Sequence, residues 1–191
     1  MSCHLRRFLL HGDHRSALLK RLMPTFVGKE TSGMTKTSSD ALVYIDANPI
    51  AYALEGPEEL ASSLRALFAV FRQKPGVAVT SELTLAEVLP KKRIPDRHFF
   101  DLLIWSKTFD LRPVTRDILI ETARYRRIAR TELPDGRVST PKLPDAIHVV
   151  TAIQAGCRFF LSADKRVKVP ESMRWIRADK LGIESLVRDF E

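Results

Sequence analysis

From residue 41 onward, short continuous apolar runs alternate with stretches in which apolar positions recur at helical spacing. Leu42-Val43-Tyr44-Ile45 is a β-prone run closed by Asp46-Ala47-Asn48. After Gly56, Pro57 suits the first position of a helix. Leu60, Leu64, Leu67, Phe68 and Phe71 then line one face of it. Pro75-Gly76 turns the chain into a second strand over 77–79, and Thr80 or Ser81 can cap a helix that runs through Val88 and stops at Pro90. The pattern predicts a further helix over 99–105 and a strand over 111–114. Thr115 caps a helix reaching Arg130. A polar loop with Pro134, Asp135, Gly136 and Pro141 leads into a helix opened by Pro144 and ended by Gly156. A fourth strand is expected over 158–162, a fifth over 174–176 and a last helix over 180–190. Strands that are apolar throughout, alternating with helices, predict an α/β fold: a mostly parallel central sheet of four to five strands with helices on both faces.

The first forty residues break this pattern. A basic stretch over 5–23 gives way to segments such as Gly28-Lys29-Glu30-Thr31-Ser32-Gly33, which have almost nothing to bury. Residues 1–40 are expected to be a poorly ordered extension and linker, and 41–191 the folded domain. Arg6-Arg7-Phe8-Leu9-Leu10 superficially suggests an export signal, but no apolar stretch of the required length follows, and Met34 could serve as an alternative start. His4, His11 and His14 fall in this unanchored part and do not make a convincing metal cluster.

Composition narrows the classes further. The 191-residue chain is 45% hydrophobic, enough for one domain with a core, and no apolar run approaches a membrane span. Its two cysteines, Cys3 and Cys157, exclude a disulfide scaffold and suit a reducing, cytoplasmic compartment. The net charge is +8, half of it in residues 1–40, so the body is mildly basic and permits a polyanionic partner without demanding one.

Candidate chemistry lies in carboxylates at strand ends and helix starts. Asp46 follows the first strand and Asp164 the fourth. Asp145 opens the helix after Lys142-Leu143-Pro144, and Glu87 sits in Ser81-Glu82-Leu83-Thr84-Leu85-Ala86-Glu87-Val88. Each has a structural alternative: a helix-dipole partner for Asp145, a turn residue for Asp46 or Asp164, a solvated helix side chain for Glu87. In a parallel sheet, however, ligands bind at the carboxyl edge, and carboxylates gathered there repel one another unless cations hold them. Hard oxygen ligands suit Mg²⁺ or Mn²⁺, which would let an acidic hollow accept and polarise a phosphodiester.

Tyr44-Ile45-Asp46-Ala47-Asn48, the segment 81–88, Leu143-Pro144-Asp145-Ala146-Ile147-His148-Val149-Val150-Thr151-Ala152 and Phe160-Leu161-Ser162-Ala163-Asp164 together resemble the PIN-domain nucleases, most of all the VapC-type toxin ribonucleases. The resemblance runs from about Ala41 to the C-terminus. It implies that Asp46, Glu87, Asp145 and Asp164 form an acidic site for Mg²⁺ or Mn²⁺, with Asn48 and Ser162 orienting ligands or water. It also implies cleavage of RNA, a homodimer and silencing by a small antitoxin protein. Lys165, Arg166, Arg137 and Lys142 are candidates for touching the RNA backbone, as is the basic run Arg124, Arg126, Arg127 and Arg130, whose alternative is a wet surface. Glu82 is a second acid in its motif; Glu87, on a different helix face, is preferred. His148, three residues past Asp145, could act as an acid–base group but is read as a helix residue hydrogen-bonded near the sheet. Two other functions compete. An aspartyl-nucleophile phosphatase would want a second Asp where Asn48 stands. A non-catalytic PIN-like module binding RNA or protein would be expected to have lost one of the acids.

Overall fold

A computed structural model describes residues 41–190 except Lys92; the expected extension over 1–40, with its histidines, lies outside the described residues. The elements are, in order, β1 (Val43–Ile45), α1 (Ala47–Glu55), α2 (Glu58–Arg72), β2 (Ala78–Ser81), α3 (Leu83–Val88), α4 (Asp96–Phe100), β3 (Phe109–Arg112), α5 (Arg116–Ile128), β4 (Thr131–Glu132), β5 (Val138–Ser139), α6 (Leu143–Gln154), β6 (Phe159–Ser162), β7 (Arg174–Arg177) and α7 (Lys180–Phe190).

Five strands form one wholly parallel sheet in the order β3-β2-β1-β6-β7. The chain builds outward from β1 to β3, then crosses back to lay β6 on the other side of β1, so strand order reverses between β1 and β6. That reversal opens a crevice at the carboxyl ends of these two strands. The central strands β1, β2 and β6 are buried on both faces, and the strand period of two divides β1 between them. Val43 and Ile45 enter a core with Ile50 of α1, Leu64, Leu67 and Phe71 of α2, and Ile183, Leu186 and Phe190 of α7. Tyr44 enters the opposite core with Phe160, Ile118 and Tyr125 of α5, and Ile147 and Val150 of α6.

Three expectations are corrected. Helix α1 was not foreseen, because Asn48-Pro49 reads as a breaker. Pro49 is the third helical residue, where its missing N–H would have no acceptor within the helix, and Asp46 caps the turn by accepting from Ala47 N at 2.8 Å. The helix expected over 99–105 starts earlier, at Asp96, and its second half, Asp101–Trp105, widens to a π turn in which Ser106 N donates to Asp101 O at 2.8 Å. The loop over 131–143 contains the β4–β5 hairpin, whose turn is pinned by Gly136 at φ +79°. Elsewhere, strand ends shift by one or two residues. Ser81 closes β2, and its Oγ accepts from Leu83 N at 3.2 Å at the entry to α3. Among the described residues, no helix is long and apolar enough to cross a membrane.

Helix α7 returns under β7 with its first turn nearly touching the end of the strand. A Cβ at Gly182 would stand 2.0 Å from the Arg177 carbonyl oxygen. Gly182→Ala is expected to cost about 1–3 kcal/mol through overpacking, seen as a lower urea midpoint. An unchanged midpoint would mean that α7 has room to move away from β7.

Candidate active site

The β1–β6 register explains the first contact of the site. Ile45 pairs with Leu161, so Asp46 and Ser162 leave their strands side by side. Ser162 Oγ donates to Asp46 Oδ2 at 2.6 Å and accepts from Asp164 N at 3.0 Å. One buried hydroxyl thus ties the carboxylate ending β1 to the turn that follows β6. Asp46 is buried, and with Ala47 N and Ser162 both donating to it, its two oxygens are fixed in direction.

Helix α6 brings a second pair of groups over this edge. His148, only 2% exposed, lies with Nε2 2.7 Å from Glu87 Oε2 and 3.8 Å from Asp46 Oδ1. Its Nδ1 lies 2.7 Å from the Tyr44 hydroxyl. Glu87 is therefore turned inward from α3, whereas Glu82 is exposed. Asp46, Glu87 and His148 can each offer a ligand atom within 4.8 Å of the others, a donor set placed to hold a metal ion.

Asp145 stands half-buried in the first turn of α6. Burial raises its pKa, and the charges of Asp164, Asp46 and Glu87 raise it further against the opposing pull of Lys142. The direction records the geometry: Asp145 sits near enough to Asp164, Asp46 and Glu87 to feel their charges. Asp164 behaves differently. Arg166 grips it through Nε and Nη2, with Nη2 2.7 Å from Oδ2, and this hydrogen bonding holds the carboxyl below its ordinary range. Tyr44, buried beneath Asp46, has its phenol pKa driven well up, first by desolvation and then by that carboxylate, so it keeps its proton.

The remaining candidates are spread around this edge. Asn48 is exposed on α1, and its side chain makes no hydrogen bond to the described residues. Lys142 precedes α6 and lines a cavity of about 180 Å³ with Asp145, Arg166 and Lys168. Lys165 is exposed in the turn after β6. Arg137 is committed to Asp135 within the hairpin, its Nε 2.7 Å from Oδ2. Parts of the basic run on α5 are structural: Arg124 pairs with Glu121, and Arg126 Nε donates to Pro141 O at 2.9 Å, fastening the hairpin to the helix. Sequence reasoning set His148 aside. Its spacing from Asp145 was visible, but its bond to Glu87 spans 61 residues and becomes visible only once α3 and α6 are packed.

Comparison with known proteins adds one finding. A family model described as the PIN domain matches residues 43–171, a span that takes in all four carboxylates and His148. No curated protein matches the chain.

Proposed function

Because the chain belongs to the PIN-domain family, generally nucleases, we propose that it is a divalent-metal-dependent endoribonuclease, the toxin of a VapC-type toxin–antitoxin pair. The observation that supports the reading is the meeting of Asp46, Glu87 and His148 at the carboxyl edge of the sheet, with Asp145 close enough to feel the charges of Asp164, Asp46 and Glu87. The donor chemistry fits Mg²⁺ or Mn²⁺, since the oxygens are hard. Asp46, Glu87, Asp145 and Asp164 would hold the ion, which supplies neutralisation of the phosphate and activation of the attacking water.

The chain's own groups then divide the remaining work. Ser162 fixes the orientation of Asp46, and Arg166 fixes that of Asp164, so two acids are aimed before any ligand arrives. Asn48, two residues past Asp46 and with no side-chain hydrogen bond among the described residues, is available to orient water or a phosphate oxygen. Lys142 and Lys165 offer exposed ammonium groups at the rim for flanking phosphates. Arg137 is a weaker candidate, because Asp135 already neutralises it. A homodimer, a small antitoxin protein that silences the site and a cytoplasmic location belong to the same reading.

The test is cleavage of total cellular RNA with added Mn²⁺ or Mg²⁺, followed by mapping of the new ends. Discrete new ends should appear with the ion and vanish in EDTA. Undiminished cleavage in EDTA would overturn the metal-dependent reading, and intact RNA under every condition would overturn the nuclease.

A further inference from the structure

We infer that His148 is a nitrogen ligand of the divalent ion, completing with Asp46 and Glu87 a mixed carboxylate–imidazole set that prefers first-row transition ions to Mg²⁺. The inference rests on the metal-dependent reading above and names the donor that sets which ion the site takes.

Three features of the geometry carry it. First, Nε2 points at the oxygens and nowhere else, 2.7 Å from Glu87 Oε2 and 3.8 Å from Asp46 Oδ1. An ion with bonds of about 2.1 Å holds neighbouring ligands about 3 Å apart, so Nε2 and Glu87 Oε2 already stand near that spacing and Asp46 Oδ1 has to close in on Nε2 by less than about 1 Å. Second, the ring cannot swing away. It is buried on α6, with its other nitrogen bonded to Tyr44, and Tyr44 is itself fully buried and stacked on Phe160 with centroids 5.0 Å apart. A carboxylate facing solvent can choose among waters and cations, whereas this imidazole can serve only what enters the hollow.

The third feature concerns protons. Glu87 as a carboxylate only accepts, so without an ion Nε2 carries the hydrogen and Tyr44 donates to Nδ1. To bind an ion, Nε2 must present its lone pair. A hydroxyl behind Nδ1 permits this, because it can accept as well as donate. The ring's single proton is then on Nδ1 and points at the Tyr44 oxygen. A backbone N–H in the place of Tyr44 would have locked the ring in the tautomer that cannot ligate. Metal-bound histidines ordinarily need such a partner on the distal nitrogen. The consequence for choice of ion follows from ligand softness: carboxylates and water suit Mg²⁺, whereas imidazole suits the later divalent ions, and affinity for nitrogen-containing sites rises along the first-row series from Mn²⁺.

The experiment uses the full chain and no RNA. Mn²⁺ is bound to the protein and its electron-spin-echo spectrum examined for coupling to ¹⁴N, and Mn²⁺ and Mg²⁺ affinities are measured by calorimetry for the native protein and for His148→Gln. Nitrogen coupling in the native protein, lost in His148→Gln together with about a tenfold fall in the preference for Mn²⁺ over Mg²⁺, is the expected result. Mn²⁺ bound without nitrogen coupling, or both affinities falling equally in the variant, would make His148 only a support for Glu87 and overturn the inference while leaving the nuclease reading standing. No Mn²⁺ binding by the native protein would remove both. The native spectrum decides the matter even if His148→Gln folds poorly.

Discussion

Asp46→Asn is expected to reduce RNA cleavage by at least about a hundredfold while the protein stays folded. The magnitude follows by comparison: outer partners of metal ligands are already worth about 10–100-fold, so a ligand itself cannot be worth less. The retained fold follows from the side chain's second task. Asp46 caps α1 by accepting from Ala47 N, and asparagine caps as well as aspartate. The new amide N–H₂ would face Ser162 Oγ, which can turn to accept it. Circular dichroism and a thermal midpoint near the native one, alongside a cleavage assay on mapped RNA, check both halves. Full activity would remove Asp46 from the chemistry. Collapse of the fold would show that its charge, and not its cap, is what α1 needs.

The same experiment on Asp145 should separate function from stability in sign. Its folded pKa is raised, so between the ordinary value and the raised one the native state holds a proton that the unfolded chain has released. Stability therefore falls as pH rises through that window, and above it the full cost of the buried charge is carried. Asp145→Asn, measured in chelator at neutral pH, is expected to melt higher than the native protein while losing cleavage. Added Mn²⁺ should raise the native midpoint more than the variant's.

The middle of the sheet was legible because its strands are buried on both faces and run apolar almost throughout: Val43–Ile45 and the Phe159-Phe160-Leu161 run could hardly be read otherwise. Helix α7 was equally plain from Ile183, Leu186 and Phe190 at core spacing. What failed was local punctuation. Pro49 announces a break in sequence but does no harm at the third position of a helix, and the π turn after Phe100 leaves no signature in an apolar run such as Leu102-Leu103-Ile104. The site divides in the same way. That Asp46 and Asp164 leave neighbouring strands follows from general rules about parallel sheets. That a serine joins them depends on the β1–β6 register, which links residues 116 apart. Tyr44 looked like strand filler because its ring is; only its hydroxyl, reaching His148 on another helix, belongs to the site.

That double duty of Tyr44 leads to the largest expected effect on stability that also reaches the chemistry. Phe160 is fully buried on β6, and its ring lies against Tyr44 at an interplanar angle of 15°. Phe160→Ala should cost about 3–5 kcal/mol, a large share of the roughly 5–15 kcal/mol that holds a domain together. Folding alone would then explain any loss of function, so the milder Phe160→Leu is the informative variant. It keeps most of the apolar volume and gives up a ring pair worth about 0.5–1.5 kcal/mol. Leu64→Ala, on the opposite face of the sheet, is the comparison: Leu64 is equally buried, and its truncation should cost about 2–5 kcal/mol. Urea midpoints should therefore rank Leu64→Ala as the less stable protein. Divalent-ion affinity should rank the two the other way, because only Phe160→Leu loosens the tyrosine that holds His148 against Glu87. If ion affinity instead tracks the urea midpoint, the Tyr44–His148 support is not what aims Glu87.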